Sequence, residues 1–431
     1  MTEQTYESIS TASREMYARA CEVLPGGNTR TGIFNSPYPI YARSGNGCRV
    51  TDLDGVERID FLNNSTTLIH GHAHPEIVAA VTEAAGRGTC FALPTEAEVE
   101  FAEAVCARNE SFEWARFTSS GTEAVMMAVQ AARAYTGKPK IAKFAGAFHG
   151  AYDSVAVNNY GSDSLTPHSH ATGTPAAILA NTVMIPFNDP DGAVAILREN
   201  VDDFACVLID PVPWRLGLLP ANREFLAALR AFCDETGVLL VSDEISSFRI
   251  GYHGAMHAMG GVADLTVLGK IIGGGMPIGA VTGRSKFMSV FDPSQGTPKL
   301  PHSGSYNANP VSMAAGMASL RLLTPEQIDR INAMGEQVRR ELRSVIAEEG
   351  LDWAVNGMSS LFRIVTSTVP GSDLSGPELS RLLFQALLTN GILIGNSGLG
   401  CVSTPMGQGE IDEFAVNFKQ AVRQAVAAAR S

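Results

Sequence analysis

The 431-residue sequence predicts an α/β protein, with a mostly parallel central sheet covered by helices on both faces and a smaller α+β lobe beside it. Three observations predict this. From about Glu96, short apolar, β-branched runs alternate with helical stretches, the pattern of strand–helix–strand units. The runs are apolar throughout, as strands buried on both faces are. From 324 onward the pattern changes to long helices with short strands between them, which marks a second unit.

The elements follow in order. Residues 6–24 carry Ile9, Met16, Ala20 and Val23 at near-helical spacing and end at Pro25-Gly26-Gly27. This predicts a helix running into a loop at Asn28-Thr29-Arg30. Between Tyr38 and Phe61 the pattern becomes short strands turned at Gly45-Asn46-Gly47 and Asp54-Gly55, a small antiparallel element. His70, His72 and His74 stand at alternate positions, a spacing that suits a metal. No Cys, Asp or Glu accompanies them at ligand spacing, so a helix opening at His74-Pro75-Glu76 is favoured. Helices are then expected over 96–108, 121–136, 189–200, 222–236 and 309–323. Strands are expected at Arg116-Phe117, 140–144, 155–157, 182–185, 205–209, 238–242 and 265–268. In the tail, helices over 326–349 and 376–390 and a closing helix from Glu410 separate strands near 361–365 and 392–394. The expected division is a large domain, 61–308, and a small one built from 1–60 and 309–431.

Composition removes several function classes. A net charge of −12 argues against nucleic-acid binding through a general basic field. Seven scattered cysteines without a CxxC spacing fit neither a disulfide framework nor a zinc site. A reducing cytoplasm is the expected location. No basic-then-apolar leader opens the chain, and no apolar stretch reaches the ~18 residues of a membrane span. The expected partners are small molecules.

The chemistry centres on 239–276. The run Val238–Val241 ends in Asp243-Glu244, and Leu265–Leu268 ends at Lys270, followed by Gly273-Gly274-Gly275. A buried strand delivering a carboxylate at its C-terminal end places that charge where α/β sheets bind ligands. A desolvated lysine can attack a carbonyl and form a Schiff base, and a nearby carboxylate suits a protonated pyridine ring. The pairing suggests pyridoxal phosphate; the bland alternative is a turn with a solvated lysine. Ser119-Ser120-Gly121-Thr122-Glu123 opens a helix after a strand, which reads either as an anion site or as an ordinary N-cap. Phe148-His149 follows another strand. There the aromatic ring can stack on a flat heterocycle and the histidine can hold Asp243, or the pair is simply core and surface.

Taken together, SSGTEAVMMAVQAARAYTG, FAGAFHGAYD, VSDEISSFRIGYHGA, DLTVLGKIIGGGMPIGAVTGR and HSGSYNANPVSMAAG, in this order, resemble the class III, fold type I, pyridoxal-phosphate aminotransferases. Within these they are most similar to glutamate-1-semialdehyde aminomutase and the β-amino acid transaminases. The similarity runs from Pro25 to the closing helix. It implies that Lys270 carries the Schiff base and shuttles the proton, that Asp243 pairs with the pyridine nitrogen, and that Phe148 stacks on the ring. His149, beside that aromatic, is read as bonding the ring's substituents or holding Asp243; the resemblance further implies that Ser120, Gly121 and Thr122 form the phosphate cup and that Ser305 reaches the phosphate of a neighbouring subunit. The active form would then be a homodimer with shared sites. Arg30 matches an arginine that takes substrate carboxylate.

The departures bear on substrate. Asp210-Pro211 stands where the family commonly has Glu-Pro, and Trp214-Arg215 replaces small or amide residues. Those two side chains narrow a pocket, stack on an aromatic substrate, bind a second anion, or point outward. The segment 158–175 matches the aminomutase lid in length but not in sequence. The leading expectation is an aminotransferase moving an amino group between an amino acid, with β- and aromatic ones as options, and a keto acid. The alternatives are an aminomutase or racemase using the same lysine, and a degenerate binding protein.

Overall fold

The computed structural model describes residues 5–159, 164–169 and 171–431. The chain forms two compact units, one comprising the residues up to His74 together with those from Arg330 on, the other Pro75–Asp329.

The first unit begins with helix α1 (Thr11–Cys21). It continues into β1 (Ala42–Asn46), β2 (Arg49–Asp52) and β3 (Glu57–Asp60), an antiparallel meander as the turns at 45–47 and 54–55 predict. The expected helix over 6–24 is shorter: residues 7–9 form a separate single turn, broken at Ser10 (φ −137°, ψ 38°), and the helix proper ends at Cys21. His72 Nε2 lies 2.8 Å from Asp60 Oδ2 and His70 Nδ1 lies 3.0 Å from Thr404 Oγ1. Among the described residues no group of three potential metal ligands converges.

The second unit opens with α2 (Pro75–Arg87), with proline first, and α3 (Glu96–Cys106), capped by Thr95. Then follow β4 (Trp114–Thr118), α4 (Gly121–Thr136), β5 (Lys140–Phe144), β6 (Thr182–Ile185), α5 (Pro190–Glu199), β7 (Phe204–Ile209), α6 (Arg223–Thr236), β8 (Leu239–Asp243), β9 (Leu265–Gly269), β10 (Gly279–Gly283) and α7 (Pro310–Leu322). The seven strands form one sheet in the order β4-β10-β9-β8-β7-β5-β6. Pairings from β9 through β6 are parallel, and β10 runs antiparallel to both β4 and β9. All six residues of β7 are buried, as its unbroken apolar run predicts. Ala124, Ala128, Ala131 and Ala132 let α4 lie close on the sheet. Strand β10 escapes the sequence reading, since only Ala280 and Val281 in it are strongly apolar.

Two expectations change. Among the described residues the expected strand at 155–157 joins no ladder and makes one bridge, from Val157 to Ser169. The division falls after His74 and Asp329 rather than after 60 and 308. Helix α7 packs on α2 and α3 and so belongs with the large unit.

The tail comprises α8 (Pro325–Glu348), β11 (Ala354–Asn356), β12 (Leu361–Val365), α9 (Gly376–Thr389), β13 (Ile392–Leu393), β14 (Leu399–Cys401) and α10 (Gln408–Arg430). β11, β12 and β14 form an antiparallel sheet, while β13 joins the meander parallel to β3. Among the described residues no helix is long and apolar enough to cross a membrane.

Candidate active site

The sheet order determines which loops meet. β5, β7, β8, β9 and β4 all point the same way, so the residues following each emerge at one edge, where α/β sheets take ligands. This edge collects Phe148-His149 after β5, Asp210 after β7, Asp243 at the end of β8, Lys270 after β9, and Ser120-Gly121-Thr122 after β4. Gly279, the first residue of β10, pairs with both Thr118 and Gly269. A Cβ there would sit 2.1 Å from the Ser120 carbonyl oxygen, so only glycine lets the strand pass this close.

Asp243 is buried, and its Oδ2 lies 2.8 Å from His149 Nδ1 while its Oδ1 accepts the Ile245 N–H. Burial, opposed by the bond to Asp243, holds the His149 imidazole below its usual pKa. A neutral imidazole donating from Nδ1 turns its bare Nε2 the other way. Nε2 is buried with no hydrogen-bond partner among the described residues, an acceptor left for something else in the site. Asp210 Oδ1 accepts the Val212 N–H at 3.0 Å and the Ser247 hydroxyl at 3.4 Å. Burial, together with the charge of Asp243, pushes the Asp210 carboxyl well above the usual range. Nearby Glu244 is pushed up to about 7 by burial, opposed by the N–H groups of Ala255 and Met256 that it accepts.

Lys270 is half-buried, and its Nζ donates to Ser246 Oγ at 2.5 Å. Its backbone sits at φ 49°, a left-handed conformation that is strained for a side chain with a Cβ and clusters at functional positions. Gly274 and Gly275 continue the left-handed path, and a Cβ on Gly274 would meet the Ala315 carbonyl of α7 at 2.4 Å.

At the start of α4, Ser120 is the N-cap, with its Oγ accepting the Glu123 N–H at 3.2 Å. Glu123 Oε2 accepts the Ser119 N–H at 2.7 Å. The cap reading thus describes these bonds. The first-turn N–H groups of Gly121 and Thr122 have no intrahelical acceptor, and an accepting hydroxyl still has its proton to donate, so an anion fits here too. Gly150, at φ 95°, brings the Phe148-His149 loop against this helix start, where a Cβ would lie 2.6 Å from Thr122 Oγ1.

Phe148 is half-buried. Trp214 meets it edge-on at 6.1 Å, and the Arg215 guanidinium lies 5.0 Å from its ring centroid and 4.4 Å from that of Trp214. Neither residue of the unusual pair points away into solvent; both line the side of Phe148. Ser305 is exposed, and its carbonyl accepts the Cys90 thiol at 3.2 Å. Arg30 lies in the other unit and is exposed, its Nη1 donating to Asn64 Oδ1 at 2.7 Å. Of the segment 158–175, residues 160–163 and 170 lie outside the described residues. Sequence reasoning missed Ser246, which holds the Lys270 amine, and Lys143, which holds the loop of Phe148. Ser246 looks like any turn hydroxyl in sequence.

An amine on a strained turn, a buried carboxylate–imidazole pair with an open acceptor, and a helix start with available N–H groups share one sheet edge. These are the donors, acceptor and charge that a phosphorylated pyridine aldehyde requires. Comparison with known proteins agrees. The aminotransferase class-III family profile matches residues 34–407. Glutamate-1-semialdehyde 2,1-aminomutase of Methanothermobacter thermautotrophicus is 36% identical over 395 residues, covering 90% of this chain and 93% of its own. A solved structure described as a transaminase with PLP bound superposes with a TM-score of 0.97 at 63% identity, covering 98% of this chain and 100% of that one. A β-phenylalanine aminotransferase from Variovorax paradoxus superposes with a TM-score of 0.87 at 33% identity, covering 96% and 94%.

Proposed function

The chain belongs to the class-III aminotransferases and works with pyridoxal phosphate, and from that premise we propose that it moves an amino group between an amino acid and a keto acid in ping-pong fashion, with Lys270 as the proton-carrying amine. The observation that carries this is Lys270 itself, held by Ser246 in a left-handed turn on the edge where the Asp243–His149 pair lies buried. The cofactor supplies an aldehyde carbon that takes up amino groups and a ring that withdraws electrons.

Each residue has a role in this reading. Lys270 Nζ takes the proton from the amine-bearing carbon and delivers it to the acceptor carbon, moving between them on its flexible stem. Asp243, oriented by the His149 Nδ1–H, holds the proton on a ring nitrogen opposite it. Gly121, Thr122 and the Ser120 hydroxyl hold the phosphate at the positive end of α4. Ser305, exposed on its loop, completes that grip in the partner subunit of a homodimer. Arg30 takes the substrate carboxylate, and Trp214 with Arg215 forms the wall facing the substrate side chain. The β-phenylalanine aminotransferase neighbour supports a β- or aromatic amino acid as donor.

The test is to mix purified holoenzyme with one amino acid and no acceptor. The expected result is loss of the cofactor's visible absorbance with one equivalent of keto product, regenerated by an added keto acid. The curated relatives carry the aminomutase name, which makes that activity the rival. Formation of a positional isomer of the donor without keto product would replace the transaminase reading.

A further inference from the structure

Lys143, the fourth residue of β5, lies in the core of the large unit and has no part in the mechanism proposed above. Its side chain is fully buried. Its Nζ lies within hydrogen-bonding distance of four oxygens: the carbonyls of Ala147 at 2.8 Å, Val155 at 2.9 Å and Val157 at 2.6 Å, and Asn159 Oδ1 at 2.8 Å. All four acceptors lie on one segment, the loop that leaves β5 and carries Phe148 and His149 at its tip. Asn159 Nδ2 in turn donates to the Gly150 carbonyl at 3.3 Å, so both ends of the loop are tied through one amine. Among the described residues the segment 155–157 joins no ladder beyond the bridge from Val157 to Ser169. The N–H groups of Val155 and Ala156 turn back to the Tyr152 carbonyl, and the carbonyls of Val155 and Val157 go to the lysine. An ammonium has three N–H groups, so the four oxygens share three donors, and the three backbone carbonyls would be buried and unsatisfied without them.

We infer that Lys143 is a positioning residue for the cofactor: it fixes, through an amine shared among four surrounding oxygens, the loop on which Phe148 and His149 approach the ring, without touching the ring itself. The inference rests on the proposed roles of Phe148 and His149. The same hub places Gly150 against Thr122, and so sets the loop's distance from the helix start that takes the phosphate.

The test compares holoenzymes carrying Lys143→Met, Asn159→Ala and Phe148→Ala with the unaltered protein. Three quantities are read: the dissociation constant of pyridoxal phosphate, kcat at saturating cofactor, and the rate of proteolytic cleavage within 145–159 in cofactor-free protein. Lys143→Met should weaken cofactor binding about tenfold or more, the equivalent of one or two lost hydrogen bonds. It should also speed cleavage of the loop and leave kcat at saturation largely intact. Asn159→Ala should shift the first two readings the same way by less, and it decides the matter if Lys143→Met does not fold. Unchanged cofactor affinity in both variants, or a fall in kcat alone, overturns the inference. If Phe148→Ala leaves affinity unchanged, the roles given to the loop fail instead. The two failures are therefore distinguishable.

Discussion

At the scale of single residues, the carboxylate and the amine were legible because each ends an apolar run, and a strand end at a sheet edge is where charge is put to use. Lys270→Ala is expected to abolish turnover, measured as keto-acid formation, and to leave the cofactor bound only through its phosphate and ring. Appreciable turnover in that variant would remove the lysine from its role. Arg30→Ala should raise KM for carboxylated donors far more than for simple amines; equal changes for both would show that its partner is not the substrate. What sequence could not show was the second layer. Ser246 and Lys143 act through distances set by the fold, and nothing in the spacing of SSF or KIAKF distinguishes a hydroxyl or amine with that duty from one at the surface. Asp210 was visible only as a departure from the family pair. Its burial beside Asp243 is a consequence of β7 lying next to β8.

Among the elements, most helices and strands begin and end within a residue or two of where periodicity and caps place them. α4 is a case in point, running from Gly121 to Thr136 as read. The failures have physical causes. β10 is bounded by glycines and holds only two strongly apolar residues, and 155–157 has the composition of a strand but gives the carbonyls of Val155 and Val157 to a lysine. The alanine face of α4 carries a prediction of its own. Ala128 is fully buried against the sheet, so Ala128→Leu should overpack it and cost about 1–3 kcal/mol in denaturant unfolding. A variant of unchanged stability would mean the helix has room to shift. Lys143 adds a pH dependence. Burial lowers its pKa to about 7, whereas in the unfolded chain a lysine titrates near ~10.4. Between those values the unfolded chain binds more protons, so this group's contribution to stability is poorest below about 7 and improves as pH rises toward ~10. Relative to Lys143→Met, the unaltered protein should gain stability with pH across that window, by up to about 1.4 kcal/mol per unit. Parallel curves for the two proteins would contradict it.

For the whole molecule, the thiols bear on chemistry rather than on cross-links. All seven cysteines are free, with Cys21 and Cys90 exposed and Cys48, Cys206, Cys233 and Cys401 buried. Burial pushes the Cys206 thiol up to about 12, far from reactive. A thiol reagent should therefore label Cys21 and Cys90 first in native protein. If Ser305 works in a partner's site, Cys90, bonded to the Ser305 carbonyl, should be shielded at high protein concentration and uncovered on dilution, with Cys21 indifferent; equal rates at every concentration would argue against the shared site. Finally, the single reversed strand has a cost for anyone who wishes to alter this enzyme. Its first residue, Gly279, is wedged between the helix start at Ser120 and the turn that presents the Lys270 amine. One added methyl group at that pivot would move both together, so cofactor retention and reactivity cannot be tuned separately from there.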